Sequence, residues 1–231
     1  MEHDKRIQVL RTEGWLSLTP PEFRSAILSR CGWQSYDPGA PIQTGGEESG
    51  ELIGLAQGVI EMRTILGPAE TPIMHFAHPP FWFGYVPVFT DRPRRIAVSA
   101  KTKVWVGRVS QIDLSALLTE RPQWWRHLFY LAIVYGDVSQ TVAADLLIRD
   151  SERRCAAVLL RLGGRRFPTP DDKRPSEVQV TQSELAGAAN LSRNSVGTML
   201  HRLAARGLIE LGYRGVTVVS PAALRALVDE G

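Results

Sequence analysis

The chain of 231 residues is short of the groups that build covalent or metal chemistry. Its two cysteines, Cys31 and Cys155, stand far apart and in no CxxC pair. Neither a disulfide framework nor a zinc or iron–sulfur cluster is indicated, no metal site is assigned, and two free thiols are expected. No run approaches the roughly 20 apolar residues of a membrane-spanning helix, and the opening MEHDKRIQVLRTEG is charged rather than signal-like. A soluble, cytoplasmic protein without a membrane partner is expected. No Walker-type loop, nucleophile–base pair or metal-ligand spacing appears, which argues against an enzyme.

What is present suffices for a sizeable core: 44% of the residues are hydrophobic, in a length that suits one large domain or two smaller ones. The net charge of +3 is uneven. Residues 151–231 hold 12 Lys/Arg against 8 Asp/Glu, and residues 1–150 hold 15 against 16, giving +4 and −1. A basic carboxy-terminal third is compatible with a polyanionic partner.

A short helix is expected in LSLTPPEFRSAILSR, with Thr19 as N-cap, Pro20 and Pro21 in its first positions and Phe23, Ile27 and Leu28 on one face. From 33 to about 118, short apolar runs such as ELIGLAQGVIEM, PIMHF and TKVWVGRV alternate with glycine and proline punctuation, which suggests a sandwich, barrel or roll. Between Arg121 and Arg149 the period changes. Leu128, Leu131, Tyr135, Val138 and Val142 recur at intervals of three and four along one long helix. Such a stripe covers its own domain or forms a two-stranded seam; the seam is preferred, with Asp145 and Arg149 as polar register-setters. The helix SERRCAAVLLRLGG follows, and RRFPTPDDKRPSE reads as a linker.

After the linker, TQSE starting at Thr181 is a capping-box pattern with Glu184. The helix it opens breaks at Asn190. Ser192 then caps a second helix whose Val196, Met199, Leu200 and Leu203 form a buried face. Two short helices joined by a tight turn make a helix-turn-helix. The second helix presents Arg193, Asn194, Gly197 and Thr198 away from its apolar face, where Arg can fork onto guanine and Asn can read adenine. Ser183, Ser192 and Ser195 offer hydroxyls to phosphates. GLIELGYRGVTVVS reads as a hairpin wing with Arg214 at its tip as a further phosphate contact. Double-stranded DNA is the expected partner; a winged helix that contacts only protein is the alternative.

These residues resemble the Crp/Fnr family of bacterial transcription regulators, of the cyclic-AMP receptor protein type. The strongest match is LSRNSVGTMLHRLAARGLIE, with support from LSLTPPEF and GAPIQTGGEESGELIGLAQGVIEM. The resemblance implies an α+β architecture. It has an amino-terminal β-roll sensor like a cyclic-nucleotide-binding jelly roll (1–120), a long central dimerisation helix (121–150) and a carboxy-terminal winged helix-turn-helix (151–231). It also implies a homodimer on a near-palindromic site, and RNA polymerase as a partner. Leu128, Leu131, Tyr135, Val138 and Val142 would carry the dimer seam. Reader positions depart from the family's usual arginine–glutamate–arginine, since Arg193 is followed by Asn194 and then Thr198.

The family's nucleotide cassette would fall in FGYVPVFTDRPRRIAVSA, where Gly84, Arg95 and Ala97 match while Tyr85 replaces a glutamate and Ile96 a hydroxyl residue. Tyr85 carries no carboxylate for a ribose, and Ile96 offers nothing to a phosphate. Ser139 on the long helix stands where the family often offers a hydroxyl to the base. Arg95 reads either as a phosphate partner or as a cation paired with a carboxylate such as Asp91. A regulator with no effector, or one other than cyclic AMP, is expected; a cyclic-nucleotide-responsive regulator is the alternative. Haem ligation by His75 or His78 is disfavoured for want of a second ligand at fixed spacing, so no cofactor is expected.

Overall fold

The structure, a computed structural model, describes residues 2–48, 50–65, 73–90, 92–169, 174–213 and 215–230. Three short helices open it: α1 (Glu2–Thr12), α2 (Gly14–Ser17) and α3 (Pro21–Ser29). Pro21 sits in the first turn of α3, where a missing N–H costs nothing. Thr19 does not cap this helix, because the end of α2 competes for its hydroxyl. Its Oγ1 donates to Leu16 O at 2.7 Å, and Pro20 holds the N-cap in extended conformation.

Strands β1 (Gly32–Tyr36), β2 (Pro41–Gln43), β3 (Glu51–Gln57), β4 (Ile60–Thr64), β5 (Ile73–Ala77) and β6 (Phe81–Phe83) follow. After the single-turn helix α4 (Val86–Phe89), β7 (Ile96–Ala100) and β8 (Val104–Ser110) complete two sheets, ordered β1-β8-β3-β6 and β2-β7-β4-β5. The pairs β1–β8, β2–β7, β3–β6, β3–β8 and β4–β7 are antiparallel, as the turn-punctuated runs lead one to expect. In β3 five consecutive residues from Leu52 to Ala56 are buried, so its apolar run is unbroken rather than alternating. Gly54 lies opposite Trp82, and a Cβ there would stand 2.8 Å from the indole. The glycine is what lets the largest buried side chain of this unit lie flat across the strand. Trp82 also meets Trp15 edge-on at 5.7 Å, which ties the opening helices to the roll.

Helix α5 (Gln111–Glu120) starts on Ser110, whose side chain accepts from Asp113 N at 3.1 Å. A 3-10 turn (Pro122–Trp124) leads into α6 (Trp125–Leu147), the expected long helix. Its apolar stripe behaves differently from the expectation. Leu128 and Leu131 are buried in the sensor core beside Trp15, Leu114 and Leu118, and Tyr135 packs against the same cluster. Those three positions face inward because the roll offers them apolar surface within the same protomer. Val138 and Val142 are half-buried. The large apolar side chains exposed on α6 are Trp125, Phe129, Tyr130 and Ile133 in its first half and Leu146 and Leu147 at its end.

Nor are Asp145 and Arg149 register-setters. Arg149 lies beyond the helix end, and Asp145 is fully buried. Its two oxygens accept from Arg161 Nε at 2.8 Å and Arg166 Nε at 2.9 Å. Burial lowers the Arg161 pKa from its usual value while the hydrogen bond to Asp145 opposes that shift.

The remaining elements are α7 (Ser151–Leu162), β9 (Ser176–Val178), α8 (Gln182–Ala189), α9 (Arg193–Ala205), β10 (Ile209–Leu211), β11 (Val216–Val218) and α10 (Pro221–Asp229). Helix α7 is buried from Cys155 to Leu162. Its arginines serve their neighbours: Arg153 donates to Val228 O at 2.6 Å near the end of α10, and Arg154 to Ala189 O at 3.0 Å at the end of α8. Both thereby satisfy carbonyls that a helix leaves unpaired. The end of the expected linker is a strand, since Ser176–Val178 pairs with β11 as the third member of a sheet ordered β10-β11-β9.

By internal contacts the chain forms two compact units with the boundary at 138/139, inside α6; residues 72–76 count with the second. Among the described residues no helix is long and apolar enough to cross a membrane. Both cysteines are free thiols, and burial pushes each up to about 12. Native protein at pH 8 should therefore resist alkylation by iodoacetamide and react at both sites once denatured, read by mass spectrometry. Because these pKa values are raised on folding, their contribution to stability is complete below pH 9 and is lost as pH climbs from 9 towards about 12.

Candidate nucleic-acid interface and effector cavity

The helix-turn-helix is assembled from local caps. Thr181 Oγ1 accepts from Glu184 N at 3.2 Å while Glu184 Oε2 accepts from Thr181 N at 2.8 Å, a complete capping box. Asn190 ends α8 in the left-handed conformation with φ 51°, which asparagine tolerates better than most residues. Ser192 then caps α9, its Oγ accepting from Ser195 N at 3.1 Å. Val196, Leu200 and Leu203 are buried as expected, and Met199 is only partly so. The two helices approach closely at Gly197, where a Cβ would stand 3.3 Å from Gln182 Oε1.

This packing leaves Arg193, Asn194 and Thr198 exposed on the outer face of α9, and Ser183 exposed on the first turn of α8. Thr198 Oγ1 donates to Asn194 O at 3.1 Å, so its hydroxyl proton is taken, and it presents a methyl group and an acceptor. The hydroxyls of Ser192 and Ser195 lie 2.8 Å apart, one donating to the other, so a single proton of the pair is left for a phosphate. Two exposed residues escaped the reading of the sequence. His201 follows Thr198 by three positions and Asn194 by seven, on the same face; that spacing was legible. Tyr213, 96% exposed, stands at the tip of the β10–β11 hairpin, where Gly212 N donates to Gly215 O at 2.9 Å. Arg214 beside it lies outside the described residues. A cleft of about 290 Å³ runs between wing and helices, lined by Gln182, Ser183, Arg193 and Tyr213 among others. A protruding polar helix start, a hydroxyl on the neighbouring helix and a wing tip on one side is an arrangement that can straddle a groove and its flanking phosphates.

The second site is a cavity of about 200 Å³ in the β-roll, and it gathers the cassette residues Gly84, Tyr85, Arg95 and Ile96 with Gln43, Met62, Val98 and Tyr135. Ala97 precedes Val98 on β7 but does not line it, and Ser139 lies one turn beyond Tyr135 on α6. Pairing of Met62 with Val98 across β4 and β7 puts both on the cavity wall. Gly84 has φ 88°, and a Cβ on it would stand 2.7 Å from Glu51 O and 3.1 Å from Gln43 Oε1. Any side chain at this position would be strained and would intrude between the two walls.

The two adjacent arginines have separate fates. Arg94 is 4% exposed, bonds Glu47 at 2.7 Å and lies 3.5 Å from Glu51, which also receives Arg108. Its anion is thus internal. Arg95 is exposed at the cavity and forms no ion pair among the described residues; Asp91, its expected alternative partner, lies outside them. Burial pushes the Tyr85 phenol up to about 12, so it stays neutral and supplies no substitute for the missing carboxylate. Burial likewise raises Tyr135 well above the usual phenol value, with Tyr85 adding to the shift. Among the described residues no cluster of three His, Cys, Asp or Glu side chains is present that could hold a metal ion.

Comparison with known proteins matches the two regions that hold these candidate sites. Residues 33–121 match the cyclic nucleotide-binding domain and residues 153–227 the Crp-like helix-turn-helix domain. The "CRP-like cAMP-activated global transcriptional regulator" of Mycobacterium tuberculosis is 22% identical over 212 residues, covering 91% of this chain and 94% of that one. The c-di-GMP responsive global regulator CLP of Xanthomonas campestris shares the fold with a TM-score of 0.67 at 17% identity, over 86% of this chain and 99% of that one. FixK2 of Bradyrhizobium japonicum does so with a TM-score of 0.68 at 18% identity, over 85% and 96%. With a cyclic nucleotide-binding domain and a Crp-like helix-turn-helix domain matched in that order, and a regulator as its relative in sequence, the chain belongs to the Crp/Fnr family of transcription regulators and carries a helix-turn-helix DNA-binding domain.

Proposed function

We propose that this regulator binds a near-palindromic DNA site as a homodimer in the cytoplasm, engages RNA polymerase there, catalyses no reaction, holds no cofactor, and does not answer to cyclic AMP. The observation that carries the DNA reading is the capped start of α9, which holds Arg193, Asn194 and Thr198 outward while Val196 and Leu200 anchor the helix. A two-fold dimer would read half-sites about 34–36 Å apart. In vitro selection of DNA sites by the full chain, with and without cyclic AMP, tests it. An enriched inverted repeat, the same in both arms, is expected. A flat pool would sink the DNA reading, and enrichment that needs the nucleotide would sink the effector reading.

Support for the dimer comes from the outer face of α6, where Phe129 is 70% and Ile133 46% exposed, one helical turn apart. Gly136 continues that face with open space around it. Large apolar side chains in such a row are commonly covered by a partner. Phe129→Arg should weaken the dimer by about 2–4 kcal/mol, roughly 30- to 700-fold in Kd, measured by sedimentation equilibrium. Since Phe129 is outside the protomer core, the unfolding midpoint of the monomer should be unchanged. An unaltered dimer constant would place the interface elsewhere.

A further inference from the structure

The effector cavity combines one buried acceptor, one cation and apolar walls. Gln43 on β2 is 7% exposed, and its Nε2 donates to Ile96 O at 3.2 Å, which turns Oε1 the other way. That oxygen is buried and has no hydrogen-bond partner. It lies beside Gly84, where no side chain can intervene. A buried acceptor is ordinarily satisfied, so this one points to a donor that arrives with a ligand. Arg95, without an ion pair among the described residues, supplies a positive charge at the same cavity. Met62, Phe83, Pro87 and Val98 also line the cavity, and the rings of Tyr85 and Tyr135 meet edge-on at 5.8 Å and 74°.

We propose that this cavity binds a single-ring, apolar monocarboxylate that carries a hydroxyl group. The carboxylate meets Arg95, the hydroxyl donates to Gln43 Oε1, and the ring lies against the aromatic and aliphatic wall. The inference rests on the reading that cyclic AMP is not the effector. A cyclic nucleotide brings a ribose hydroxyl, a charged phosphate and a polar base, more polar groups than these walls can satisfy. The volume of about 200 Å³ also falls below the roughly 300–1,000 Å³ of sites for drug-sized ligands, and suits one ring. An arginine and a carboxylate make a charge-assisted pair, and aromatic edges favour a flat ring.

Titration calorimetry of the full-length protein with 3- and 4-hydroxybenzoate, benzoate, 4-hydroxybenzyl alcohol and cyclic AMP tests this. At least one hydroxybenzoate should bind in the micromolar to millimolar range, more tightly than benzoate, and the uncharged alcohol should be about tenfold weaker or worse. Arg95→Ala should lower hydroxybenzoate affinity about tenfold. Gln43→Leu should abolish the preference for hydroxybenzoate over benzoate while benzoate still binds, which a misfolded variant would not do. No heat from any benzoate at millimolar concentration, an unaffected Arg95→Ala variant, or tighter binding of cyclic AMP than of every carboxylate would overturn the proposal. The DNA selection separates the two readings: an enriched site with silent benzoates rejects the ligand alone, and bound benzoates with a flat pool reject the DNA reading alone.

Discussion

Asp145→Ala should lower the unfolding free energy by about 3–5 kcal/mol, the cost of leaving a buried charge without its partner. The carboxylate has no exposure and is held between Arg161, itself buried, and the partly buried Arg166. Removing it leaves the buried Arg161 guanidinium, among the described residues, with the Met74 carbonyl as its remaining acceptor and the Arg166 cation nearby. Asp145→Asn keeps the shape and one acceptor, so it should cost less than alanine and more than a surface change. Replacing Asp145 by Leu and Arg161 by Met together should recover part of the loss, because a buried pair exchanged for apolar groups is often neutral. Chemical denaturation followed by fluorescence reads all three. A loss below about 1 kcal/mol for alanine would mean that water reaches the pair.

Arg193→Ala should cost about 1–3 kcal/mol of specific DNA affinity per half-site and relax the preference at one base position. In a two-fold complex the loss is taken twice, about 2–6 kcal/mol. Ser183→Ala is the contrast: on the proposal that this exposed hydroxyl of α8 meets a phosphate, it should weaken selected and random sequences alike. Gel-shift titrations against the selected site and single-base variants check both. Equal losses with no change of preference would contradict the division into reader and positioner. Because Arg193 also lines the cleft beside Tyr213, the wing can shift where its guanidinium reaches; Tyr213→Ala with an altered base preference would reveal that.

How far the sequence could be read depended on how local the cause was. The helix-turn-helix was legible because Thr181 and Glu184, Ser192 and Ser195, and the left-handed Asn190 act within one turn of chain. The first part of the stripe on α6, Leu128, Leu131 and Tyr135, packs within the protomer instead of in a seam, for the opposite reason. A spacing of three and four says that a face is covered, not what covers it, and this helix has two such faces, Leu128 with Leu131 inward and Phe129 with Ile133 outward. Asp145 reads from the sequence as a polar register-setter of the seam since its partners lie 16 and 21 positions on, one of them in a stretch that reads as linker. In the cassette, the exclusion of a carboxylate at Tyr85 was plain from the residue types. The place of Gln43 on the cavity wall was not, because β2 is brought there by pairing with β7, which starts 53 residues on.

The helix-end contacts of Arg153 and Arg154 bear on how salt should act on this regulator. Cations held at the carbonyl ends of α10 and α8, with Arg161 and Arg166 on Asp145, neutralise dipoles and a carboxylate of the protein itself. They displace no counterions from a phosphate backbone. The dependence of DNA affinity on ionic strength, about 0.9 of a decade per decade of salt for each phosphate neutralised, then counts only the cations left on the DNA-facing surface. Its slope is set by far fewer charges than the 12 Lys/Arg of residues 151–231, and substitutions at Arg153 or Arg154 would alter folding while leaving that slope in place.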